Sequence, residues 1–333
     1  MKILWLLPSR PAGAPSGGDL YDSLVIAGLR KRGHRVVVTN FPPTRVNTDV
    51  IVQDELGFRE FLPFNRAQEE NGARRIALVH VTSARLGAKT ARLEAEYLAT
   101  THAAVFVSEH ARTESFRLLK MNIDSAVIPP GADRLSVSLS HRERVGVRAR
   151  LLCVGHLTPN KEQLDLLVAF KKSGLDATLV LAGDGSIDRK YTARVEAQLK
   201  RTPNATWVGP LNAKQLATEL ARADVFINAS EYESWGMAAA EAQAAGLPVV
   251  SCSKGGLWEF LNPGVDSLQA RALTPSLLKR LADKQLVAHL TRGARRARVR
   301  TWKTVAHEFE EFLVSALSPT LSPARRGRQG RHS

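Results

Sequence analysis

The chain has 333 residues, with 47 Lys plus Arg against 32 Asp plus Glu, giving a formal net charge of +15 at pH 7. At 44% hydrophobic and 24% charged it lies inside the globular range, which excludes wholesale disorder, and no run approaches the ~20 apolar residues of a membrane-spanning helix. Its two cysteines, Cys153 and Cys252, each sit in an apolar stretch, which excludes a disulfide scaffold and fits a reducing, cytoplasmic setting.

In chain order, the apolar run after Lys2 is ended by Pro8 too early for a signal peptide and reads as a buried strand over 3–7. A helix is predicted over 19–32, then strands over 36–39, 76–81 and 104–108, with helices over 88–100 and 109–120. No element is assigned between 40 and 75. A short strand over 126–128 precedes Pro129-Pro130-Gly131. Residues 136–150 turn polar and charged and are read as an interdomain linker. The alternation then resumes, with strands over 151–154, 177–182, 206–208, 225–228 and 249–251. Helices are predicted over 163–172, 190–200, 213–221 and 236–245. Two successive runs of parallel α/β units imply two Rossmann-like domains around a central cleft. The expected division is 1–147, 148–300, a helix over 301–317 crossing back to the first domain, and a disordered basic tail over 318–333.

Several common α/β chemistries lack their fingerprints. The loop after the first strand does not read G-x-G-x-x-G, and no G-x-x-x-x-G-K-[ST], G-x-S-x-G or H-E-x-x-H occurs. The informative stretch is Glu231-Tyr232-Glu233-Ser234-Trp235-Gly236-Met237-Ala238-Ala239-Ala240-Glu241-Ala242, placed after an apolar strand and so at the carboxyl end of a sheet. Glu233 and Glu241 fit as one loop carboxylate and one carboxylate two turns into a helix. The amides of Ser234, Trp235, Gly236 and Met237 would be unpaired donors suited to a phosphate.

This stretch resembles the E-x7-E motif of family 4 glycosyltransferases, retaining enzymes of the GT-B fold. Gly17-Gly18, Pro129-Pro130-Gly131-Ala132-Asp133, Val154-Gly155-His156-Leu157-Thr158-Pro159-Asn160-Lys161, Ala182-Gly183-Asp184-Gly185, Val208-Gly209-Pro210-Leu211 and Gly255-Gly256-Leu257-Trp258-Glu259 resemble further elements of that family in the same order. The resemblance is nearly continuous from 151 to 264 and patchy before that.

The resemblance implies that Glu233 contacts the donor sugar, Glu241 the ribose hydroxyls, and Lys161 the departing diphosphate. His156 stands where the family has an arginine, so its diphosphate contact would be weaker. His80 resembles a histidine that reaches the transferred sugar, and Gly17 and Gly18 would admit donor or acceptor. Catalytic roles thus fall to Glu233, His80 and Lys161, and donor binding to Gly17, Gly18, His156, Lys161, Ser234, Trp235, Gly236, Met237 and Glu241. No metal and no cofactor are expected beyond the nucleotide sugar, a UDP- or GDP-sugar. The acceptor (lipid-linked glycan, saccharide, small molecule or protein) stays open. The implied activity is that of a metal-independent hexosyltransferase. A nucleotide-sugar epimerase or a non-catalytic nucleotide- or membrane-binding module of the same fold is the alternative. The basic run Arg292, Arg295, Arg296, Arg298, Arg300 and the tail from Arg325 to Arg331 allow peripheral contact with an anionic inner membrane face, and nucleic acid is disfavoured.

Overall fold

The computed structural model describes residues 1–9, 15–68, 72–135, 137 and 148–317. The chain forms two compact units, the first holding residues 1–9, 18–130 and 302–317, the second residues 15–17 and 131–301.

The first unit runs β1 (Lys2–Leu6), α1 (Gly17–Lys31), β2 (Arg35–Thr39), β3 (Val50–Asp54), α2 (Phe58–Ala67), β4 (Arg74–Val79), α3 (Ala88–Leu98), β5 (Ala103–Phe106), α4 (Glu109–Leu119) and β6 (Ser125–Val127). Its six strands are all parallel in the order β2-β1-β3-β4-β5-β6. Ile3 faces Val36 on one side and Val50 on the other, so the strand order reverses around β1. The strands are apolar on both faces because each face is covered, as parallel sheets require. Trp5, Val25, Leu29 and Ile76 pack on one side, and Ile51, Phe61, Tyr97 and Phe106 on the other.

The second unit runs β7 (Ala149–Val154), α5 (Gln163–Ser173), β8 (Ala177–Ala182), α6 (Arg189–Leu199), β9 (Ala205–Trp207), α7 (Ala213–Arg222), β10 (Val225–Asn228), β11 (Tyr232–Glu233), α8 (Met237–Ala244), β12 (Val249–Ser251), β13 (Lys254–Gly255), β14 (Ser267–Gln269), α9 (Pro275–Lys279) and α10 (Lys284–Arg296). The order β14-β12-β10-β7-β8-β9 is again all parallel. Here the reversal lies between β7 and β10, and open α/β sheets bind ligands at the carboxyl ends of strands beside such a reversal. β11 and β13 form a separate two-stranded pair.

The last helix, α11 (Trp302–Ala316), belongs to the first unit. It buries Val305, Phe309 and Leu313, with Phe309 stacked on Trp5 at 5.4 Å between centroids.

Three differences from the sequence reading have physical causes. β3 and α2 fill the stretch left unassigned. β3 is short and its last two residues, Gln53 and Asp54, are polar although fully buried, while α2 carries Pro63 in its interior. The boundary between units falls at Gly131 rather than at 147/148, because the Ala132 amide donates to the Arg300 carbonyl at 2.9 Å and Arg134 pairs with Glu241. The expected linker overlaps β7 at Ala149 and Arg150, and most of the rest of it, like the basic tail, lies outside the described residues. Among the described residues no helix is long and apolar enough to cross a membrane.

Candidate functional site

In the second unit, the loops leaving β7 and β10 meet at the strand-order reversal. After β7 the chain makes a single 3-10 turn, Pro159–Lys161, and Glu162 takes a left-handed conformation (φ 46°) before α5 begins. The turn is fastened to the loop after β10: the Glu231 amide donates to the Asn160 carbonyl at 2.9 Å, and Asn160 Nδ2 donates to the Tyr232 carbonyl at 3.3 Å. The buried Gln163 holds the start of the same loop by donating to the His156 carbonyl at 2.9 Å. A Cβ on Gly155 would lie 3.5 Å from Lys161 Cδ, so the lysine stem lies against this glycine.

This scaffold sets Lys161 Nζ 2.6 Å from Glu233 Oε1. The same oxygen accepts from Ser230 Oγ at 2.6 Å and from Asn228 Nδ2 at 3.2 Å. Asn228 is itself oriented by Ser251 Oγ, which donates to its Oδ1 at 3.0 Å. Burial pushes the Glu233 carboxyl up, but the Lys161 ammonium and the hydrogen bonds outweigh it and hold it below the ordinary range. Glu233 is therefore an ionised acceptor. An ammonium has three donors and only one is spent on Glu233, so Lys161 keeps capacity for an anion.

α8 starts beside this pair. Its N-cap is Gly236, at φ +94°, and a Cβ there would stand 2.4 Å from Leu257 Cδ1. The helix has neither a side-chain cap nor an acidic residue in its first turn, so its positive end is uncompensated. Ser234, Trp235 and Gly236, expected to share this role with Met237, precede the helix. The first helical amides begin at Met237, and the Trp235 side chain is buried against Phe260 at 4.9 Å. Gly255 supports the arrangement from β13: at φ +114° its missing Cβ would sit 2.0 Å from the Glu233 carbonyl oxygen, so only glycine allows this pairing of β11 and β13.

Glu241, expected to meet ribose, is 4% exposed and is taken up by Arg134. Arg134 Nε donates to Oε1 at 2.7 Å and Nη2 to Oε2 at 3.0 Å, a fork-to-carboxylate match. Burial pushes its carboxyl up and Arg134 opposes this, with a net rise. His156 lies in the β7–α5 loop with Nδ1 buried and unpartnered.

In the first unit the structure gathers a different group. His80 follows β4 and is 7% exposed, with Nε2 3.3 Å from Asp22 Oδ1, and the ring edge of Tyr21 lies against it at 5.4 Å. Gly17 and Gly18 open α1 instead of forming a loop, and a Cβ on Gly18 would touch the His80 ring at 3.2 Å. His80 is thus a packed group rather than a free strand-end side chain. Asp22 Oδ2 is buried without a partner, and burial pushes this carboxyl up to about 6 despite the opposing pull of His80. Ligand-type atoms of Asp22, Asp54 and His80 lie within 4.8 Å of one another.

Sequence reasoning missed Asn228, Ser230, Ser251, Arg134, Asp22 and Asp54. Asn228-Ala229-Ser230 was visible as a short polar motif at a strand end. Arg134 and Glu241 are 107 positions apart and carry no local signal.

Residues 148–286 match the family model described as glycosyl transferases group 1. The chain is 37% identical over 110 residues to a GDP-mannose-dependent alpha-mannosyltransferase of Mycobacterium tuberculosis, covering 33% of this chain and 27% of that protein. It is 30% identical over 198 residues to a glycogen synthase of the same species, covering 56% of this chain and 47% of that protein. The chain thus spans less than half the length of these two relatives. Among solved structures, Anabaena HepE in complex with UDP-glucose superimposes with a TM-score of 0.79 at 19% identity, covering 95% of this chain and 100% of that one. Sucrose-phosphate synthase from Thermosynechococcus elongatus gives 0.78 at 16% identity, covering 94% and 98%. The fold is GT-B. In GT-B terms, the Lys161–Glu233 pair lies on the second of the two α/β units, inside the segment that the family model matches.

Proposed function

We propose that the chain is a retaining, metal-independent glycosyltransferase of family 4 that moves a hexosyl group from a UDP- or GDP-sugar to an acceptor. The observation that carries this reading is the Lys161–Glu233 pair, 2.6 Å apart, beside the uncapped start of α8 at the strand-order reversal. A departing nucleoside diphosphate gains negative charge as the glycosidic bond breaks. Lys161 and the first amides of α8 are fixed donors that stabilise such charge without reorganising. Glu233, held ionised, accepts from sugar hydroxyls, and retention follows if the leaving diphosphate takes the acceptor proton on the face it departs from. The similarity to a GDP-mannose-dependent alpha-mannosyltransferase and to a protein solved with UDP-glucose supports a nucleotide-sugar donor.

The experiment is thermal unfolding with UDP, GDP, ADP and dTDP, followed by turnover of the matching sugar nucleotides with and without EDTA. A ligand at 100 times its dissociation constant stabilises by about 2.7 kcal/mol. A shift with one nucleotide, with sugar release that survives EDTA and keeps the anomeric configuration, is the expected result. Loss of turnover in EDTA would overturn metal independence and direct attention to Asp22, Asp54 and His80. A shift without turnover would favour a binding module, and a rearranged donor an epimerase.

A further inference from the structure

Away from the Lys161–Glu233 cluster, the second unit has a cavity of about 390 Å³ between α10 and the loop before β14. Asn262 and Asp266 on the loop, and His289, Arg292 and Arg296 on α10, line it together with Arg298 just beyond the helix. His289, Arg292 and Arg296 fall at i, i+3 and i+7, so they share one helix face. The helix rests directly on the loop: a Cβ on Gly293 would stand 2.0 Å from the Val265 carbonyl oxygen, and His289 Nε2 lies 3.0 Å from the Gly264 carbonyl oxygen.

The basic charge of this cavity exceeds its acidic charge, three arginines lining it against one carboxylate, Asp266. The carboxylate of Asp266 is turned to structural work, accepting from the Asn262 amide at 2.8 Å, Asn262 Nδ2 at 3.2 Å and Gln243 Nε2 at 2.9 Å. None of Arg292, Arg296 and Arg298 takes part in an ion pair among the described residues. The sequence has no Asp or Glu from Lys284 to His307. Compensation of a helix dipole accounts for basic residues in the last turn of α10, but not for Arg298, which lies past it, nor for their convergence on one cavity.

We propose that this cavity binds a phosphate group, through the guanidinium forks of Arg292, Arg296 and Arg298. Planar guanidinium groups engage phosphate oxygens in pairs, and a phosphate supplies the acceptors these arginines lack. The phosphate is carried either by a small solute or by a lipid headgroup, and the inference does not depend on the catalytic reading above.

The test uses the full chain with two probes: inorganic phosphate in titration calorimetry, and phosphatidylglycerol-containing vesicles in cosedimentation, with phosphatidylcholine vesicles as the neutral control. The triple variant Arg292→Gln, Arg296→Gln, Arg298→Gln is expected to weaken at least one probe by about tenfold or more. Weakened phosphate binding identifies a solute site, and weakened vesicle binding alone a headgroup site. Two further variants locate other sources of affinity: Lys161→Gln, and the quadruple tail variant Arg325→Gln, Arg326→Gln, Arg328→Gln, Arg331→Gln. The proposal is overturned if wild type and triple variant behave alike with both probes. It is also overturned if the phosphate response follows Lys161→Gln, or the vesicle response the tail variant, while the triple variant retains both.

Discussion

Glu233 and Asp22 are both acids packed near the carboxyl ends of parallel strands, one in each unit, and burial acts on them in the same direction. Their outcomes are opposite. Glu233 receives an ammonium, a hydroxyl and an amide on one oxygen and is held ionised. Asp22 has one imidazole at 3.3 Å and an orphaned second oxygen, and its carboxyl rises to about 6. Deeper in the first unit, Glu94 accepts from Thr82 Oγ1 at 2.9 Å, yet burial prevails and pushes it up to about 7. What separates Glu233 from Asp22 is the ammonium and the further donors gathered on one oxygen, since both acids are buried. A buried acid whose donors outweigh its desolvation is a fixed charge, whereas one whose desolvation prevails keeps its proton to higher pH.

Four experiments break or sharpen this contrast, from the largest expected effect to the smallest. Glu233→Gln keeps the shape of the side chain but removes its charge, and sugar transfer should fall by about 10²–10³-fold. A variant with full turnover would remove Glu233 from the site. Glu233→Ala should in addition destabilise the fold measurably, because Lys161, Ser230 and Asn228 would all lose their acceptor. Arg134→Ala strips the donors from Glu241 and turns a supplied carboxylate into a starved one. Urea unfolding should show a loss of about 3 kcal/mol, and the double variant Arg134→Ala, Glu241→Leu should recover most of it. Gly255→Ala forces a Cβ against the Glu233 carbonyl, with an expected loss of about 2 kcal/mol and weaker nucleotide binding in the same preparation. Unchanged binding would show that β13 does not position Glu233.

The fourth concerns pH. A carboxyl whose folded pKa lies above its unfolded value keeps a proton that the unfolded chain gives up. Stability on its account is therefore greatest below pH ~4 and declines as pH rises through the folded value. For Asp22 that window runs from 3.8 to about 6, and for Glu94 from 4.5 to about 7. Asp22→Asn should flatten the first of these declines by about 2 kcal/mol, read as urea midpoints across the range. Glu233 has the opposite sign: its contribution is present above the unfolded value and lost as pH falls through the depressed one. An Asp22→Asn profile identical to wild type would mean that Asp22 is ionised throughout.

The alternating order of strands and helices was legible because each parallel strand is a short apolar run, and β8, β10 and β12 have the bounds that their β-branched stretches predict. β3 was not legible, since Gln53 and Asp54 read as surface although both are fully buried. In the site, Glu233 and Lys161 were legible because the stretches around them resemble elements of family 4 glycosyltransferases. What they touch was not. Asn228 and Ser230 carry no signal that names their acceptor, and nothing local to Glu241 announces Arg134. Asp22, on a helix of mixed polarity, looks solvated until the sheet it packs against is known.

α11 has a consequence for how the molecule is made. Val305, Phe309, Leu313 and Ala316 complete the same core as Trp5 and Val25, so the first unit lacks one wall until Trp302–Ala316 has been made. Nearly all of the second unit lies between Gly131 and Thr301. At a synthesis rate of about 5–20 residues per second, the first sheet waits roughly ten to thirty seconds for its last helix while the second unit is being made. Of the two units, the one whose synthesis starts earlier closes later, and its apolar face stays uncovered in the interval.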